Sequence, residues 1–413
     1  MIRGVWSPVT RLITICWLLL FSGCWTLCPA LAKIPSTNSL NIWTSSENVK
    51  KALEPSVAQF QKDFNVSVTI DVLNKDLTTQ FKTAAISSKG PDILCWAHDV
   101  VGELAESGLI EPLNVPPDLK NEFLPVALKA FTYKNRLYGY PYDLEAVALI
   151  YNKKFVSEAP KNLTELVELA KSIQSKNKNT FGFLFDINNL FFTFPILSSN
   201  GGYIFKDNDG QLDVNDIGIN NIGAIKAGEF LHSLVKQGVV PPSTDRNIAF
   251  NKMKAGELAF TIDGPWALND LRKSGISYGI SPIPPLYGGV SRPFVGAHGF
   301  IVRRSSPNKY LAKELIEKYL VSKTGIHRLF KEDPRGPSRQ DVLNELAGQH
   351  PDLMNFMESA RVGIPMPNVP EMGSVWVAVG GALSLINMGK SSVNEALTQA
   401  QRQIENNVSK SQL

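Results

Sequence analysis

Residues 39–96 alternate between strand-like and helix-like patterns, and this alternation constrains the fold more than any other feature. Ser39–Thr44 and 66–72 alternate apolar and polar residues as half-buried strands do, with a helical pattern over Glu47–Phe64 between them. Residues 77–86 predict a second helix, and 91–96 predict a buried strand that ends at a loop. A β-α-β-α-β order predicts a mostly parallel sheet with helices on both faces, so the predicted fold class is α/β.

The rest of the chain continues this alternation and passes between two bodies. Strand patterns cover 145–152, 259–263 and 300–302, and helical patterns cover 163–175, 224–236 and most of the chain from 309 onward. No internal repeat or disordered linker separates these segments. We therefore expect several short crossings between the bodies rather than one hinge.

The first 32 residues have the features of an export signal. Arg3 and Arg11 form a positive n-region, and residues 12–21 form an apolar core too short to span a bilayer comfortably. Residues 30–32 (Ala-Leu-Ala) match a cleavage site, so we expect cleavage after Ala32 and a periplasmic protein. Lipid attachment at Cys24, which ends a lipobox-like sequence, is the competing outcome, and an uncleaved membrane anchor is a third.

Composition limits the remaining possibilities. The formal net charge is only +4 and no basic run is present, so no nucleic-acid partner is expected. Cleavage after residue 32 removes three of the four cysteines and leaves Cys95. The mature chain therefore cannot form an internal disulfide, and its stability depends on its core.

Three features of the sequence could indicate catalysis. Residues 275–279 match the G-x-S-x-G pattern, but the three prolines within 282–285 prevent the helix that a nucleophile elbow requires. The five histidines lie far apart without metal-ligand spacing, so neither a metal nor a cofactor is expected. Asp99 and Glu145 are carboxylates that a glycoside hydrolase could pair, and they keep that alternative open.

Aromatic residues lie beside polar residues at predicted strand ends and in loops. They are Trp43, Trp96, Trp266, Trp376 and the run Phe191, Phe192 and Phe194. Ligands of open α/β sheets bind at the carboxyl ends of strands, where aromatic rings can stack on pyranose rings and carboxylates or amides can bind hydroxyls. Packing in the core or between lobes is the alternative role of these tryptophans.

Short motifs along almost the whole chain after residue 32 carry a family resemblance. They are residues 90–93, 96–99, 149–153, 201–203, 263–267, 293–296, 306–309 and 366–370, followed by Trp376. With these motifs the chain resembles the periplasmic maltose/maltodextrin-binding proteins of ABC importers, in bacterial extracellular solute-binding protein family 1. The resemblance implies a non-catalytic receptor that delivers a carbohydrate to permease subunits with a cytoplasmic ATPase. We expect it to be a monomer.

The resemblance also implies a two-lobe periplasmic-binding-protein (Venus flytrap) fold that closes on a sugar in its cleft. The implied N-terminal lobe comprises 33–143 and 298–348, the C-terminal lobe 148–293 and 349–413, and the crossings lie near 144–147, near 294–299 and after Gln349.

The implied ligand-binding residues follow from matching motif positions. They are Trp96 and Asp99 in the first lobe, Glu145 as a second carboxylate, Phe191, Phe192, Trp266 and Trp376 as an aromatic platform, Glu47 where the family has Asp, and Arg246 where it has Tyr. Asp99 and Glu145 would accept hydrogen bonds from sugar hydroxyls rather than transfer protons.

Several charged positions of the family are changed in this chain. The family's Asn and Lys after the first strand are Ser45 and Asn48, its Arg after Asp99 is Val100, its two helix glutamates are Thr78 and Thr79, its Glu-Pro-Tyr is 189–191, and its Tyr and Arg after Trp376 are Val377 and Gly380. Each lost charged hydrogen bond is worth about 1.5–3 kcal/mol. We therefore predict another disaccharide, an oligosaccharide, or weak maltodextrin binding. A glycan hydrolase, a sensory receptor on the same fold and a receptor for a non-sugar such as a polyamine are the alternatives.

Overall fold

The structure, a computed structural model, describes residues 39–87, 89–208 and 211–411. The predicted signal segment 1–32, with Cys24 and both cleavage sites, lies outside the described residues. The strands are β1 (Ser39–Thr44), β2 (Ser67–Val72), β3 (Ile93–Ala97), β4 (Thr132–Tyr133), β5 (Arg136–Leu137), β6 (Gly139–Pro141), β7 (Asp143–Leu144), β8 (Ala148–Asn152), β9 (Phe181–Phe183), β10 (Phe205–Asn208), β11 (Gln211–Ile217), β12 (Leu258–Asp263), β13 (Tyr278–Ser281), β14 (Phe294–Val295), β15 (His298–Val302), β16 (Gly336–Pro337) and β17 (Ile364–Pro365).

The α-helices are α1 (Glu47–Phe64), α2 (Leu77–Ala85), α3 (Val101–Glu106), α4 (Pro117–Lys120), α5 (Pro125–Ala130), α6 (Leu163–Lys176), α7 (Leu190–Ser198), α8 (Ile222–Lys236), α9 (Arg246–Lys254), α10 (Leu268–Ser274), α11 (Lys309–Leu315), α12 (Lys323–Glu332), α13 (Gln340–Ala347), α14 (Pro351–Arg361), α15 (Met372–Asn387) and α16 (Val393–Ser411). His98–Val100 and Pro265–Ala267 are single 3₁₀ turns, and Ile316–Leu320 is a π-helical turn. Within the described ranges, no helix is long and apolar enough to cross a membrane.

The first sheet has five strands in the order β2-β1-β3-β15-β6. β1 pairs in parallel with β2 and β3, whereas β15 runs antiparallel to β3 and β6. β6 therefore points the same way as β3, and four of the five strands are parallel. The predicted β-α-β-α-β order is confirmed, with boundaries that differ by at most two residues.

Successive residues of the central strands pack into two separate clusters of buried apolar side chains. Ile93, Cys95 and Phe300 belong to the first cluster, and Leu94 and Ile301 belong to the second. Because neighbouring residues of a strand point to opposite faces of the sheet, both faces of this sheet are covered.

The second sheet has four strands in the order β13-β8-β12-β9. β8 is antiparallel to β13 and β12, and β12 is parallel to β9. The prediction of one strand over 145–152 is wrong in extent, since β8 begins only at Ala148. The preceding residues change partners instead: β7 pairs with β16, and Glu145 forms a bridge with Gly296. Residues 143–147 thus connect the two sheets.

Candidate ligand-binding site

A cavity of about 940 Å³ opens beside the end of β3, the turn after β12, α7 and α15. Eight of the nine predicted site residues line it: Trp96, Asp99, Glu145, Phe191, Phe192, Arg246, Trp266 and Trp376. The ninth, Glu47, lies in the first turn of α1 and does not line this cavity. The structure therefore gives no support to a ligand contact by Glu47, which stays a prediction.

Several positions that differ from the family also line the cavity. They are Thr78, Thr79, Val100, Asn189 and Val377. The sequence comparison therefore located part of the wall as well as its aromatic residues. At these positions hydroxyl, amide and aliphatic groups face the space where the family has larger hydrogen-bonding groups.

His98 fixes the turn that carries Asp99. The imidazole is buried; its Nδ1 accepts a hydrogen bond from the Ala297 amide at 3.1 Å, and its Nε2 lies 2.9 Å from the Met366 carbonyl. Burial lowers the pKa of His98 below its ordinary value, so the neutral ring makes these contacts. The end of β3 is thereby tied to two distant parts of the chain, and Asp99 is held at the cavity wall.

A partly buried ion pair supports Trp266. The Asp263 carboxylate, only 1% exposed, accepts a hydrogen bond from Arg246 Nε at 2.9 Å and another from the Gly264 amide at 2.8 Å. Burial raises the pKa of Asp263, and the charge of Arg246 opposes that rise. The Arg246 guanidinium also lies 5.9 Å from the centre of the Trp266 ring. One arginine thus stabilises both the turn and the ring that it presents.

Aromatic rings form one continuous wall of the cavity. Phe191 and Phe192 lie 6.1 and 6.3 Å from Trp266 between ring centres. Behind them, buried Phe294 lies 6.3 Å from Phe191 and 6.0 Å from Trp376. These separations are typical of favourable aromatic contacts. Phe294 was not predicted as a site residue, although it lies in one of the motifs that carried the resemblance.

Trp376 lies on α15, so its prediction as a strand-end or loop residue is wrong. Its indole Nε1 donates a hydrogen bond of 3.0 Å to Asp99 Oδ2. The helix thus presents the ring to the cavity while Asp99 fixes its orientation. Trp43, the remaining tryptophan noted in the sequence, is in β1 and does not line the cavity.

Glu145 belongs to a buried cluster of charged groups. Its Oε2 lies 2.6 Å from Arg335 Nε and 3.9 Å from His298 Nδ1. Arg335 also contacts Asp333, and its Nη1 lies 3.6 Å from Asp143 Oδ2. The Arg335–Glu145 contact is short but poorly aligned for a hydrogen bond, so it acts mainly through charge. Arg335 lines the cavity and gave no signal in the sequence.

The protonation of this cluster follows from burial and neighbouring charge. Burial raises the pKa of Glu145, and the charges of Arg335 and His298 oppose that rise. Burial would also raise the pKa of Asp143, but the charge and hydrogen bond of His298 lower it below the ordinary value. Burial would lower the pKa of His298, but Asp143 and Glu145 raise it.

Opposite charges balance along the cavity wall. The cations are Lys82, Arg246 and Arg335, and the anions are Asp99, Glu103 and Glu145. Lys82 pairs with Glu103 at 2.6 Å, and the two arginines have the acidic partners described above. No group of three His, Cys, Asp or Glu side chains suited to a metal occurs among the residues that the structure describes.

Comparisons with known proteins agree with this geometry. The family model for bacterial extracellular solute-binding proteins matches residues 56–354. The chain is 30% identical over 382 residues, 89% of each chain, to the galactooligosaccharide-binding protein of Bacillus subtilis (strain 168). It is 30% identical over 318 residues to the maltotriose-binding protein of Pyrococcus abyssi, covering 75% of this chain and 69% of the relative.

The name of a further relative includes a transport system. The chain is 25% identical over 367 residues to the maltooligosaccharide ABC transporter solute-binding lipoprotein of Streptococcus pneumoniae (strain ATCC BAA-255 / R6), covering 85% of this chain and 86% of the relative. Since the family match spans more than half of the chain and a 30% identical relative aligns along most of it, this chain belongs to the bacterial extracellular solute-binding proteins.

Proposed function

We propose that this chain is an extracytoplasmic receptor that captures a neutral oligosaccharide and delivers it to the permease of an ABC importer. The observation that carries the proposal is that one cavity is lined both by an aromatic wall and by Asp99 and Glu145. Rings of this kind stack on the apolar faces of pyranoses, and carboxylates accept hydrogen bonds from hydroxyls. The names of the relatives, which bind galactooligosaccharides, maltotriose or maltooligosaccharides, support the ligand class.

Charge and size narrow the ligand further. The three cations of the wall all have acidic partners, so the site offers no unpaired cation to an acidic sugar. Ligand pockets typically measure roughly 300–1,000 Å³, and about 940 Å³ is at the upper end of that range. A ligand of several sugar units fits this space better than a monosaccharide does. The loss of charged contacts relative to the maltose-binding pattern favours a ligand other than maltose.

A two-lobe arrangement is part of the proposal. The strands of the first sheet all fall within 33–143 and 298–348, and those of the second within 148–293. The bridge between Glu145 and Gly296 lies where two of the crossings are expected. Ligand would then favour a closed state in proportion to its greater affinity for that state.

A thermal-shift and calorimetry panel on the chain from residue 33 onward tests the proposal. The panel contains maltose, maltotriose, maltohexaose, galactotriose, a uronic acid oligosaccharide and spermidine. A ligand at 100 times its Kd stabilises the folded state by about 2.7 kcal/mol, which a melting curve detects. We expect stabilisation by a neutral oligosaccharide and little by the charged compounds.

Two results would contradict the proposal. Stabilisation by spermidine or the uronic acid oligosaccharide alone would refute the neutral ligand, and sub-micromolar maltose affinity would refute the prediction of a changed sugar. A reducing-sugar assay on the same oligosaccharides checks the hydrolase alternative, in which Asp99 and Glu145 would cleave the bound glycan. Both carboxylates have fixed protein contacts, to Trp376 and Arg335, and this favours binding over cleavage.

A further inference from the structure

Arg335 contacts both an acidic group and an aromatic ring of the cavity wall. It follows α12 and directly precedes β16, and its side chain is only 14% exposed. Its Nε is 2.6 Å from Glu145 Oε2, and its guanidinium carbon is 5.6 Å from the centre of the Trp266 ring. One buried cation therefore contacts both a carboxylate and an aromatic ring of the wall.

The position of Arg335 is itself fixed. Asp333, two residues earlier in the chain, contacts the guanidinium, and Asp143 Oδ2 lies 3.6 Å from its Nη1. Asp143 is in turn fixed by His298, which donates its backbone amide to Asp143 Oδ1 at 2.8 Å. A guanidinium is planar and has several donors, so it can contact acids on different sides and a ring face at once. A lysine ammonium in the same place carries the charge without this geometry.

We infer that Arg335 is a positioning residue for ligand binding, which holds the Glu145 carboxylate at the orientation that the ligand requires. This inference rests on the proposed function. Among the residues that the structure describes, Glu145 has little other support: its Oε2 lacks a well-aligned hydrogen bond, and its other ion-pair partner within 4 Å is His298. Arg335 therefore acts on the ligand through Glu145, with the ring of Trp266 as a second surface in contact with it.

The protonation of Glu145 provides a second way to test the positioning role of Arg335. The charged groups around Glu145 are Asp143 from β7, His298 from β15, and Asp333 and Arg335 from the segment before β16. Burial raises the pKa of Glu145, and Arg335 gives the largest opposing effect. A cation that is less well placed should leave this pKa higher, so the carboxylate takes up a proton at higher pH and becomes a weaker acceptor for hydroxyls.

A double-mutant cycle tests the inference. The variants are Arg335→Lys, Glu145→Gln and the two combined, with Arg272→Lys as the matched control, because Arg272 pairs with Asp352 and does not line the cavity. Affinities for maltotriose and galactotriose are measured by calorimetry from pH 4.5 to 8. We expect Arg335→Lys to weaken binding by about 10- to 100-fold at pH 7, and Arg272→Lys to leave it unchanged.

The cycle separates positioning from a general effect on structure. In the Glu145→Gln background, Arg335→Lys should weaken binding by less than about 3-fold, because the group on which it acts is gone. In the single variant, the loss of affinity on acidification should begin at higher pH than in the wild type, and Glu145→Gln should remove this difference.

Three outcomes would overturn the inference: unchanged affinity in Arg335→Lys, an equal loss in both backgrounds, or an unshifted pH profile. If Arg335→Lys does not fold, the combined variant, which lacks the Glu145 charge, is compared with Glu145→Gln alone, and a loss above about 3-fold again overturns it. A wild-type protein that binds neither sugar would refute the proposed function first and remove the basis of this inference with it.

Discussion

Replacing Gly264 by alanine perturbs the aromatic wall without removing a ring. Gly264 precedes the turn that carries Trp266, and a Cβ built on Gly264 would lie 2.2 Å from Cη2 and 2.3 Å from Cζ3 of that ring. Carbon atoms in contact are about 3.5–4.0 Å apart, so the ring must move by roughly 1.3–1.8 Å. An indole ring is rigid and cannot bend away as a lysine chain could, so the whole Trp266 ring is displaced.

The expected cost follows from what the ring contacts. Trp266 is in contact with Phe191, Phe192 and two guanidinium groups, so its displacement disturbs several favourable contacts at once. We expect Gly264→Ala to weaken maltotriose or galactotriose binding by about 10-fold, roughly 1.4 kcal/mol, close to the loss for Trp266→Ala. The added strain should lower the free energy of unfolding by about 1–3 kcal/mol.

Calorimetry measures the affinity and urea unfolding measures the stability. Gly381→Ala is the control, because Gly381 lies on α15 where an added Cβ meets nothing within 4 Å. It should bind like the wild type and be more stable by about 0.5–1 kcal/mol. Wild-type affinity in Gly264→Ala beside a clear loss in Trp266→Ala would show that the ring position is unimportant. Wild-type affinity in both would show that the ring makes no contact with the ligand.

Three further substitutions test the supports of the cavity. Asp99→Asn weakens the acceptor for the Trp376 indole, and calorimetry should show about 10-fold weaker sugar binding; unchanged affinity would contradict the role of this bond. Arg246→Met leaves Asp263 buried without its cation. Urea unfolding should show a free energy of unfolding lower by about 3 kcal/mol, the low end of the range for a broken buried pair, because the Arg246 side chain is 31% exposed. A decrease below about 1 kcal/mol would contradict this. His98 has a lowered pKa in the folded chain, so below its ordinary value of 6.5 the unfolded chain binds a proton that the folded chain does not. The stability advantage of wild type over His98→Asn should therefore decrease between pH 7.5 and 4.5 in urea unfolding, and an advantage independent of pH would refute the assignment.

Local patterns predicted the segment from β1 to β3 well, although not β6, and the ends of α1 show why. Ser46 accepts a hydrogen bond from the Val49 amide at 3.3 Å and begins α1, and Asn65 ends it with a left-handed backbone (φ 50°). The strands on either side have apolar residues at every second position. Each of these signals involves only a few neighbouring residues, so it can be recognised from the sequence alone.

The region around Glu145 could not be predicted in this way. Its apolar run indicates a strand over 145–152, but the backbone pairs with three different partners between Asp143 and β8. Those partners are Gly296, the strand that begins at Gly336, and β12, and no pattern within the apolar run predicts them. Arg335 could not be predicted as a site residue either, because its charge partner Glu145 lies far away in the sequence.

The aromatic part of the site was predicted because Trp and Phe beside polar residues are rare in a core, and the family motifs contain them. The supporting part was missed for two reasons. Phe294 lies in a family motif but was not among the positions matched as ligand contacts, and Arg335, the cation of the Glu145 cluster, has no distinctive neighbours in sequence. Glu47 matched a motif position of the family but does not line the cavity, and its role stays a prediction.

The position of β15 has a consequence for the order in which the first sheet is completed. β15 lies between β3 and β6, yet His298 pairs with Ala97, about 200 residues earlier. At about 5–20 residues per second, synthesis of that interval takes roughly 10–40 s, during which the edge of β3 that later pairs with β15 has no partner. Closing so long a loop also slows folding after synthesis. The first sheet is therefore completed only after residue 302 has been made, from segments that meet late.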